Sequence, residues 1–380
     1  MSIDFADVHD ELRAVARTLL ADTPAGSGRA ADWSLLAGSG WLGLEAPEAL
    51  GGDGATFAEV AVILQELGRA ATLSSYLGTV VLGVGTLDAL GAQTGRDELL
   101  RKVASGDVRV AVALATGDAV APPAGGAVVP PFRLEPSAGG FRMSGHAEFV
   151  PDAGEADRLL LLASDGGAGG GPGAGAGGGP VIVAVEPGHP GLAVTAQPVL
   201  DDSRRFGVVT AVDVEVDAGS VWRFGRDGGA EADAEVRGLL DRGALAVACD
   251  SLGVAEAMLE ATVAYAGTRQ QFGRPIGSFQ AVKHACADMA VQVAVGQELL
   301  LAAVRALSSG DPDASTAVSM AKSYVCAAAV EVAGQAMQLH GGIGYAWESG
   351  VHVYLKRAVL GRSLFGAPSA HRARLARRFL

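Results

Sequence analysis

Cysteine is scarce in this sequence. Three cysteines occur among 380 residues, and each stands at an apolar position of a helical repeat: Cys249, Cys286 and Cys326. No two of them have the CxxC spacing. An odd number of cysteines without that spacing is untypical of a disulfide framework or of a cysteine-ligated metal site. We therefore expect reduced, buried thiols and no metal centre.

Positive charge is also in short supply. The 29 Lys and Arg residues face 42 Asp and Glu residues, which gives a net charge of −13 at pH 7. Such a balance argues against nucleic acid or an anionic membrane as a partner, although a local basic pocket remains compatible with an anionic substrate. The sequence does not start with a basic-then-apolar leader, and no uncharged run of about 18 apolar residues occurs. These absences predict a cytoplasmic protein.

The chain is long enough for several domains, because 380 residues exceed the size at which one hydrophobic core keeps growing. Residues 1–110 and 230–380 carry helical apolar repeats, whereas residues 111–222 consist of short β-branched runs broken by Gly, Pro and Asp. We expect an N-terminal all-α domain, a middle antiparallel β-barrel or sandwich of about six to eight strands, and a C-terminal four-helix bundle.

A glycine-rich stretch, Gly166–Pro180, interrupts the β segment. It matches a GxGxxG pattern, but no apolar helix start follows it and no acidic residue stands at the spacing of a dinucleotide-binding fold. Its composition predicts a flexible hairpin extension and not a nucleotide site.

The stretch YAGTRQQFGRPIGSFQ, residues 265–280, lies between two long apolar repeats that each predict an amphipathic helix. Gly273 and Pro275 would end the first helix, and Ser278 is a candidate N-cap of the second. The chain therefore turns a sharp corner here.

Three side chains at this corner suit a cofactor: Arg269, Phe272 and Gln280. The planar donor fork of arginine fits phosphate oxygens, and phenylalanine offers a face for stacking. A phosphate-bearing cofactor with a flat ring would match them. From these residues alone, the alternative is a structural corner in which Arg269 pairs with a carboxylate and Phe272 belongs to the core.

The corner and two further patterns resemble one family. RQQFGRPIGSFQ followed by KHACADM is similar to the C-terminal helical domain of the acyl-CoA dehydrogenases, and GWLGLEAPEALGG, residues 40–52, is similar to their N-terminal pattern. QLHGGIGYAWE, residues 338–348, resembles their cofactor-binding Gly-Gly turn. The three patterns occur in the family's order and cover nearly the whole chain, and the family's helix–sheet–helix architecture agrees with the segments above.

The resemblance implies an FAD-dependent oxidoreductase that inserts a double bond between Cα and Cβ of an acyl-CoA thioester. In such enzymes a carboxylate removes the α-proton, and the β-hydrogen leaves as hydride to the flavin. An electron-transfer flavoprotein is then a possible acceptor.

The resemblance also implies which residues hold FAD. Those at the corner and the Gly-Gly turn would serve the FAD of a neighbouring subunit: Arg269 at the pyrophosphate, Gln271, Phe272 and Gln280 at the adenine end, and Gln338, Gly341 and Gly342 at the ribose and pyrophosphate. Phe149 would present its ring to the flavin, while Pro151, where relatives often have a hydroxyl, cannot donate a hydrogen bond. His340 is expected to pack or hydrogen-bond and not to catalyse.

The catalytic carboxylate of the family is missing from both of its usual places, which here hold Gly243 and Gly366. Asp241 is a weak candidate for the base; the alternative is a carboxylate near a helix N-terminus that favours the macrodipole. The TEPxxGSD-type loop of relatives is absent as well, because the corresponding stretch after Leu114 reads ATGDAVAPPAGG.

This combination resembles actinobacterial members that act on steroid side chains and other bulky acyl-CoAs as two different subunits, one of them degenerate. AWESGVHVYLKRA, LFGAPSAHR and LDDSRRFG look like that branch. Three functions stay open. The chain is an acyl-CoA dehydrogenase, alone as a homotetramer or in a heterotetramer with a paralogous subunit; a non-catalytic subunit that binds FAD or a partner; or a related flavin-dependent oxidase or monooxygenase.

Overall fold

The structure is a computed structural model that describes residues 5–21, 25, 30–114, 128–165, 179–224 and 230–379. Most of the glycine-rich stretch predicted as a hairpin extension lies outside the described residues, and so does the ATGDAVAPPAGG segment.

The N-terminal part is helical, with a π-helix between its third and fourth α-helices. Its elements are α1 Phe5–Leu20, α2 Trp33–Gly38, α3 Phe57–Ala70, the π-helix Leu77–Val84, α4 Gly85–Ala89 and α5 Thr94–Ala104. Helix α3 begins with a capping box, in which the Thr56 hydroxyl accepts from the Ala58 N–H and the Glu59 carboxylate accepts from the Thr56 N–H. The chain therefore enters this buried helix at a fixed point.

The π-helix touches both other parts of the chain. A Cβ on Gly78 would lie 2.7 Å from Asp152 Oδ2, so glycine lets the π-helix approach the middle sheet on one side. On the other side, Arg242 of the C-terminal part donates through Nε to the Val81 carbonyl at 2.6 Å. The apolar repeats of residues 1–110 predict helix here but do not distinguish the π form from the α form.

The middle part is one eight-stranded sheet with strand order β6-β7-β3-β2-β4-β5-β8, in which β1 also pairs with β4. Its strands are β1 Val110–Ala113, β2 Phe132–Ser137, β3 Gly140–Pro151, β4 Arg158–Asp165, β5 Pro180–Val185, β6 Leu192–Ala196, β7 Phe206–Val216 and β8 Val221–Arg223.

The sheet is mixed and not wholly antiparallel as predicted. Strands β1 and β2 lie along the same edge of β4, one beside each half of it, and both run parallel to it. The other pairs in the sheet are antiparallel. The alternation of apolar residues fixes which face of a strand is buried but not which strand lies beside it, so the sequence pattern could not reveal the parallel pairs.

The C-terminal part is helical again: α6 Ala230–Thr268, α7 Gln280–Ser308, α8 Ala314–His340, α9 Val351–Ser363 and α10 Pro368–Ala376. A two-residue hairpin, β9 Gln270–Gln271 and β10 Arg274–Pro275, forms the corner between α6 and α7. The prediction of Ser278 as N-cap is wrong, because its hydroxyl donates to the Pro275 carbonyl at 2.7 Å and the cap position is Phe279.

The largest apolar core joins the N-terminal and C-terminal helices, as shown by the burial of Leu64, Val80 and Leu245 in one cluster. The inner face of the sheet forms a second core. Cys249 and Cys326 are free and buried as predicted, whereas the free Cys286 is only partly buried.

A buried ionic network ties the three parts together. Asp250 of α6 accepts from Arg357 of α9, with Nη2 to Oδ2 at 2.6 Å, and Arg204 from the loop before β7 lies 2.9 Å from the same carboxylate. Arg357 Nη1 also donates to the Thr72 carbonyl at 3.1 Å and to Ser203 Oγ at 2.8 Å. Burial raises the pKa of Asp250, but the two guanidinium groups outweigh it and hold that pKa below its usual value.

Candidate functional site

Phe149 reaches an interdomain cleft because β3 is irregular just before its end. The pairing of β3 with β7 shifts register between Ala147 and Val150, and Phe149 has a φ of 51°. The Phe149 N–H donates to Gln197 Oε1 at 2.6 Å, and its ring stands edge-on to Phe206 with centroids 6.1 Å apart. A bulge of this kind re-aims a side chain out of the strand's alternation.

The cleft into which Phe149 projects is built by all three parts of the chain. The walls are mostly apolar and include Leu82, Val112, Phe149, Leu240 and Phe365. Such a lining suits a flat, largely apolar ligand and favours the exclusion of water. Pro151 also lines the cleft and offers it no N–H or hydroxyl donor, as the sequence predicted.

Glu148 is the carboxylate among the described residues that line this cleft. Its side chain is 42% exposed, and its Oε1 lies 3.4 Å from His146 Nε2. It was not singled out from the sequence, because a Glu beside a strand aromatic carries no distinguishing pattern.

Gly243 and Gly366 are the two positions that the resemblance matches to the family's usual bases, and they are far apart in the sequence. A Cβ on Gly243 would lie 2.5 Å from Cε1 of Phe365, the residue before Gly366. An aromatic ring therefore lies beside Gly243 and is carried by the residue before Gly366, a contact that no sequence pattern indicated.

Asp241 is engaged elsewhere. Arg374 of α10 donates to its two oxygens at 2.7 and 3.0 Å, and Ser315 of α8 donates at 2.6 Å. Burial raises the pKa of Asp241, and the charge of Arg374 opposes that rise. The macrodipole interpretation is wrong, because α6 begins at Ala230 and Asp241 lies beyond its first turn. Its bidentate pairing also argues against its use as a base.

The second set of predicted cofactor residues lies at the far end of α6. Tyr265, near the end of α6, stacks on His340 at the end of α8 with centroids 4.5 Å apart and planes 17° apart. The His340 ring also bonds to the Ala336 carbonyl through Nδ1 at 2.7 Å, so its predicted packing role is confirmed. This stack brings the helix corner and the Gly-Gly turn to the same end of the bundle.

The predicted cofactor residues at this end all face outward: Arg269, Gln271, Phe272, Gln280, Gln338, Gly341 and Gly342 are exposed. Phe272 is 91% exposed, so the alternative that it belongs to the core is wrong. Within the described ranges Arg269 makes no ion pair, in contrast to Arg374 on Asp241. A Cβ on Gly341 or Gly342 would meet nothing within 4 Å, which leaves their backbone open to another molecule.

The cleft and this exposed end are far apart within one chain. Leu240 lines the cleft and Thr268 ends the same helix, and a rise of 1.5 Å per residue places them about 42 Å apart along α6. That separation exceeds the length of an extended FAD. Phe149 and Arg269 of one chain therefore cannot touch the same FAD.

Comparison with known proteins identifies the family. Residues 6–107 match the family model "Acyl-CoA dehydrogenase, N-terminal domain", and residues 234–380 match "Acyl-CoA dehydrogenase, C-terminal domain". Acyl-CoA dehydrogenase IpdE2 of Mycolicibacterium smegmatis is 31% identical over 346 residues, which span 90% of this chain and 86% of that protein. The chain belongs to the acyl-CoA dehydrogenase family. It is thus an oxidoreductase of a family that acts on CH–CH bonds, as its sequence predicted.

Two solved structures show the same architecture over the whole chain. The ChsE4-ChsE5 complex from Mycobacterium tuberculosis has a TM-score of 0.83 at 26% identity and covers 100% of this chain and 99% of that one. A variant of the steroid ACAD Tcur3481-Tcur3483 has a TM-score of 0.81 at 28% identity, with coverages of 99% and 98%. The predicted order of helical domain, sheet domain and helical domain is confirmed.

One buried carboxyl near the cleft also escaped the sequence analysis. Asp152 follows β3, has a φ of 59°, and accepts from the Gly78 N–H of the π-helix at 3.2 Å. Burial, and then the charge of Glu155, raise the pKa of Asp152 from 3.8 to about 7. Aspartate is common enough in loops that only the fold shows this one to be enclosed.

Asp152→Asn should therefore stabilise the protein at alkaline pH. The pKa of this carboxyl is higher in the folded chain than in the unfolded chain. Its contribution to the free energy of unfolding is therefore most favourable below pH 3.8 and is lost as the pH rises to about 7. Above that pH, the pKa shift corresponds to a loss of at most about 4 kcal/mol in the free energy of unfolding. We expect the Asn variant to regain roughly half of this free energy, since asparagine also tolerates the left-handed backbone. Thermal unfolding at about pH 5 and about pH 8 measures the difference. Asp202→Asn, at an exposed position, is the control, and equal gains at both pH values would contradict the prediction.

Proposed function

We propose that this chain is a subunit of an FAD-dependent acyl-CoA dehydrogenase whose flavin site is completed by a second chain. The observation that carries the proposal is the distance along α6 between the Phe149 cleft and the Arg269 corner. Each set of residues suits part of one FAD, and no single chain can bring the two together. Two chains packed so that the corner of one faces the cleft of the other would supply both.

The exposed apolar surface of the C-terminal helices supports such an assembly. Val291 and Val295 of α7 are 61% and 40% exposed, and Met320 of α8 is 44% exposed. Helix α7 is long and apolar enough to cross a membrane by length and composition alone, a test that a core helix of a protein in water also passes. An oligomer would cover this surface, and we propose a homotetramer or a heterotetramer with a paralogous subunit.

The residues of the cleft fit the flavin end of FAD. Phe149 offers a ring for contact with the isoalloxazine, and the apolar walls of Leu82, Val112 and Leu240 would exclude water from the reacting carbons. When bound, FAD supplies the acceptor for the hydride that leaves the β-carbon.

The residues at the far end of α6 fit the other end of FAD. Arg269 would donate to the pyrophosphate, while the open backbone of Gly341 and Gly342 would lie against the ribose and pyrophosphate.

The base is the part of the reaction that this chain lacks at the family's usual places. Gly243 and Gly366 offer no side chain, and Asp241 is held by Arg374. We propose that a paralogous subunit carries the base in an assembly of the kind that the ChsE4-ChsE5 complex represents. By likeness to the steroid ACAD, we propose a bulky acyl-CoA as the substrate. We also propose an electron-transfer flavoprotein as the electron acceptor, as the family resemblance implies. The glycines at positions 243 and 366 also favour the second function, a non-catalytic subunit that contributes only FAD contacts.

Arg269→Ala tests the shared flavin site. Removing a charge-assisted contact of about 1.5–3 kcal/mol should weaken FAD retention roughly tenfold to a hundredfold. Flavin-to-protein absorbance after extensive desalting measures the effect, and size-exclusion chromatography shows whether assembly persists. Arg274→Ala is the matched control, because Arg274 belongs to the same corner but stacks on Phe279, 4.2 Å from its ring centroid. Equal flavin content in the Arg269 variant and the wild type would remove the basis for the proposed site.

A further inference from the structure

We propose that the Phe365 ring limits the depth of the cleft and thereby selects which acyl groups this chain admits beside the flavin. The inference rests on the proposed function, because it takes the cleft to be the flavin and acyl site. It assigns to Phe365 a specificity-determining role that the sequence did not indicate.

The ring of Phe365 lies directly against the backbone of α6. A Cβ on Gly243 would lie 2.5, 2.7 and 2.8 Å from three carbons of that ring, closer than side-chain carbons approach each other. The Phe365 ring can therefore occupy this place only because residue 243 is a glycine. The same ring lines the cleft opposite residues of the π-helix and the sheet.

The backbone that carries Phe365 has an uncommon conformation. Phe365 has a φ of 52° and Gly366 a φ of 95°, so two consecutive residues are left-handed in the turn between α9 and α10. A bulky residue rarely adopts this conformation unless its surroundings enforce it. A turn of this kind holds the Phe365 ring in one orientation, whereas a flexible loop would let the ring adopt several.

Two buried polar side chains enforce the turn. His371 of α10 bonds through Nε2 to the Phe365 carbonyl at 2.9 Å and through Nδ1 to Ser319 Oγ at 3.2 Å. Lys322 of α8 donates to the Gly361 carbonyl at 2.8 Å, one turn before Phe365. A carbonyl only accepts, so His371 Nε2 carries the proton and Nδ1 accepts from the serine. We regard His371 and Lys322 as positioning residues for the ring.

Removing the ring should enlarge the cleft by about the volume of a six-membered ring. Phe365→Ala is therefore expected to tighten the binding of cyclohexanecarbonyl-CoA by at least about tenfold relative to butyryl-CoA, which is short and unbranched. Isothermal titration calorimetry under anaerobic conditions gives both dissociation constants for the wild type and the variant. Phe141→Ala, which deletes a phenyl ring at the start of β3 outside the cleft lining, is the matched control. An unchanged ratio of the two constants overturns the proposal.

A double-mutant cycle tests the contact itself and guards against a variant that simply fails to fold. Gly243→Ala should lower the thermal midpoint by several degrees in the wild type but have little effect in the Phe365→Ala background, where the ring is gone. Additive effects of the two substitutions would refute the contact on which the inference depends. His371→Gln, which keeps a donor near the Phe365 carbonyl, should preserve the selectivity ratio, and His371→Ala should shift it towards that of Phe365→Ala.

These measurements separate the two proposals. The flavin-to-protein ratio of the wild type tests the proposed function. A wild-type protein without bound flavin would count against that function alone. The selectivity ratio and the thermal cycle test Phe365, and both are measured whether or not flavin is retained.

Discussion

Flavin reduction by an acyl-CoA should be 10²–10⁴ times faster when this chain is assembled with a paralogous subunit that carries a cleft carboxylate than when it is purified alone. That range is the usual contribution of a positioned general base to proton transfer. In this chain Gly243 and Gly366 occupy the two positions that the resemblance matches to the family's usual bases. The ring of Phe365 contacts α6 at Gly243, and Phe365 also lines the cleft. The apolar walls can hold the reacting carbons, but no carboxylate at either position can take the α-proton.

Anaerobic stopped-flow bleaching of the flavin measures this difference. The chain is co-expressed with its genomic neighbour in one preparation and expressed alone in the other, with flavin content matched between them. The control is the same assembly in which the partner's carboxylate is replaced by its amide. Equal bleaching rates with and without the partner would contradict the prediction and direct attention to Glu148, the carboxylate that lines the cleft among the described residues. Glu148→Gln would then be expected to abolish the reaction.

The structure shows what restoring a base would cost at each of the two positions. A Glu at position 366 would have to adopt a φ of 95°, which costs roughly 1–2 kcal/mol for a residue other than glycine. A Glu at position 243 would collide with the Phe365 ring. The double variant Gly243→Glu with Phe365→Ala removes that collision, so it should gain activity where Gly243→Glu alone loses stability.

The sequence predicted the parts of this molecule that depend on local pattern. Apolar repeats located the long helices, and the Gly273–Pro275 pair located the corner that exposes Arg269. The predicted N-cap is wrong by one residue because the Ser278 hydroxyl donates to the Pro275 carbonyl and does not cap α7. The sequence does not determine which of these two hydrogen bonds the serine makes. Parallel pairing in the sheet was missed, since the period of a strand carries no information about its neighbour.

What the sequence could not reveal are contacts between distant segments. Phe365 contacts Gly243 only because α9 packs against α6. Asp241 is paired only because the fold brings Arg374 of α10 within hydrogen-bond distance of it. The same holds for the separation of Phe149 from Arg269, which becomes visible only when one continuous helix is seen to span both ends. The family pattern identified the residues, but the distance between them is a property of the fold.

Asp250→Asn should destabilise the protein by about 3–5 kcal/mol, because it removes the carboxylate that pairs directly with two buried guanidinium groups. Asp250 is 3% exposed and faces Arg357 and Arg204. An amide in its place accepts fewer hydrogen bonds and turns an N–H₂ group towards a cation. Since Arg357 also bonds to Thr72 and Ser203, the loss should loosen the junction of all three parts and with it the walls of the cleft.

Thermal and urea unfolding followed by tryptophan fluorescence measure the effect at neutral pH. Glu215→Gln is the control, because it breaks an exposed pair with Arg142 and should change the stability little. The pH dependence gives an independent check. The folded-state pKa of Asp250 lies below 3.8, so its stabilisation is present at neutral pH and lost as the pH falls through and below that value. The Asn variant should lack this acid-dependent step, and a variant with unchanged stability and an unchanged acid profile would mean that the network does not hold the three parts together.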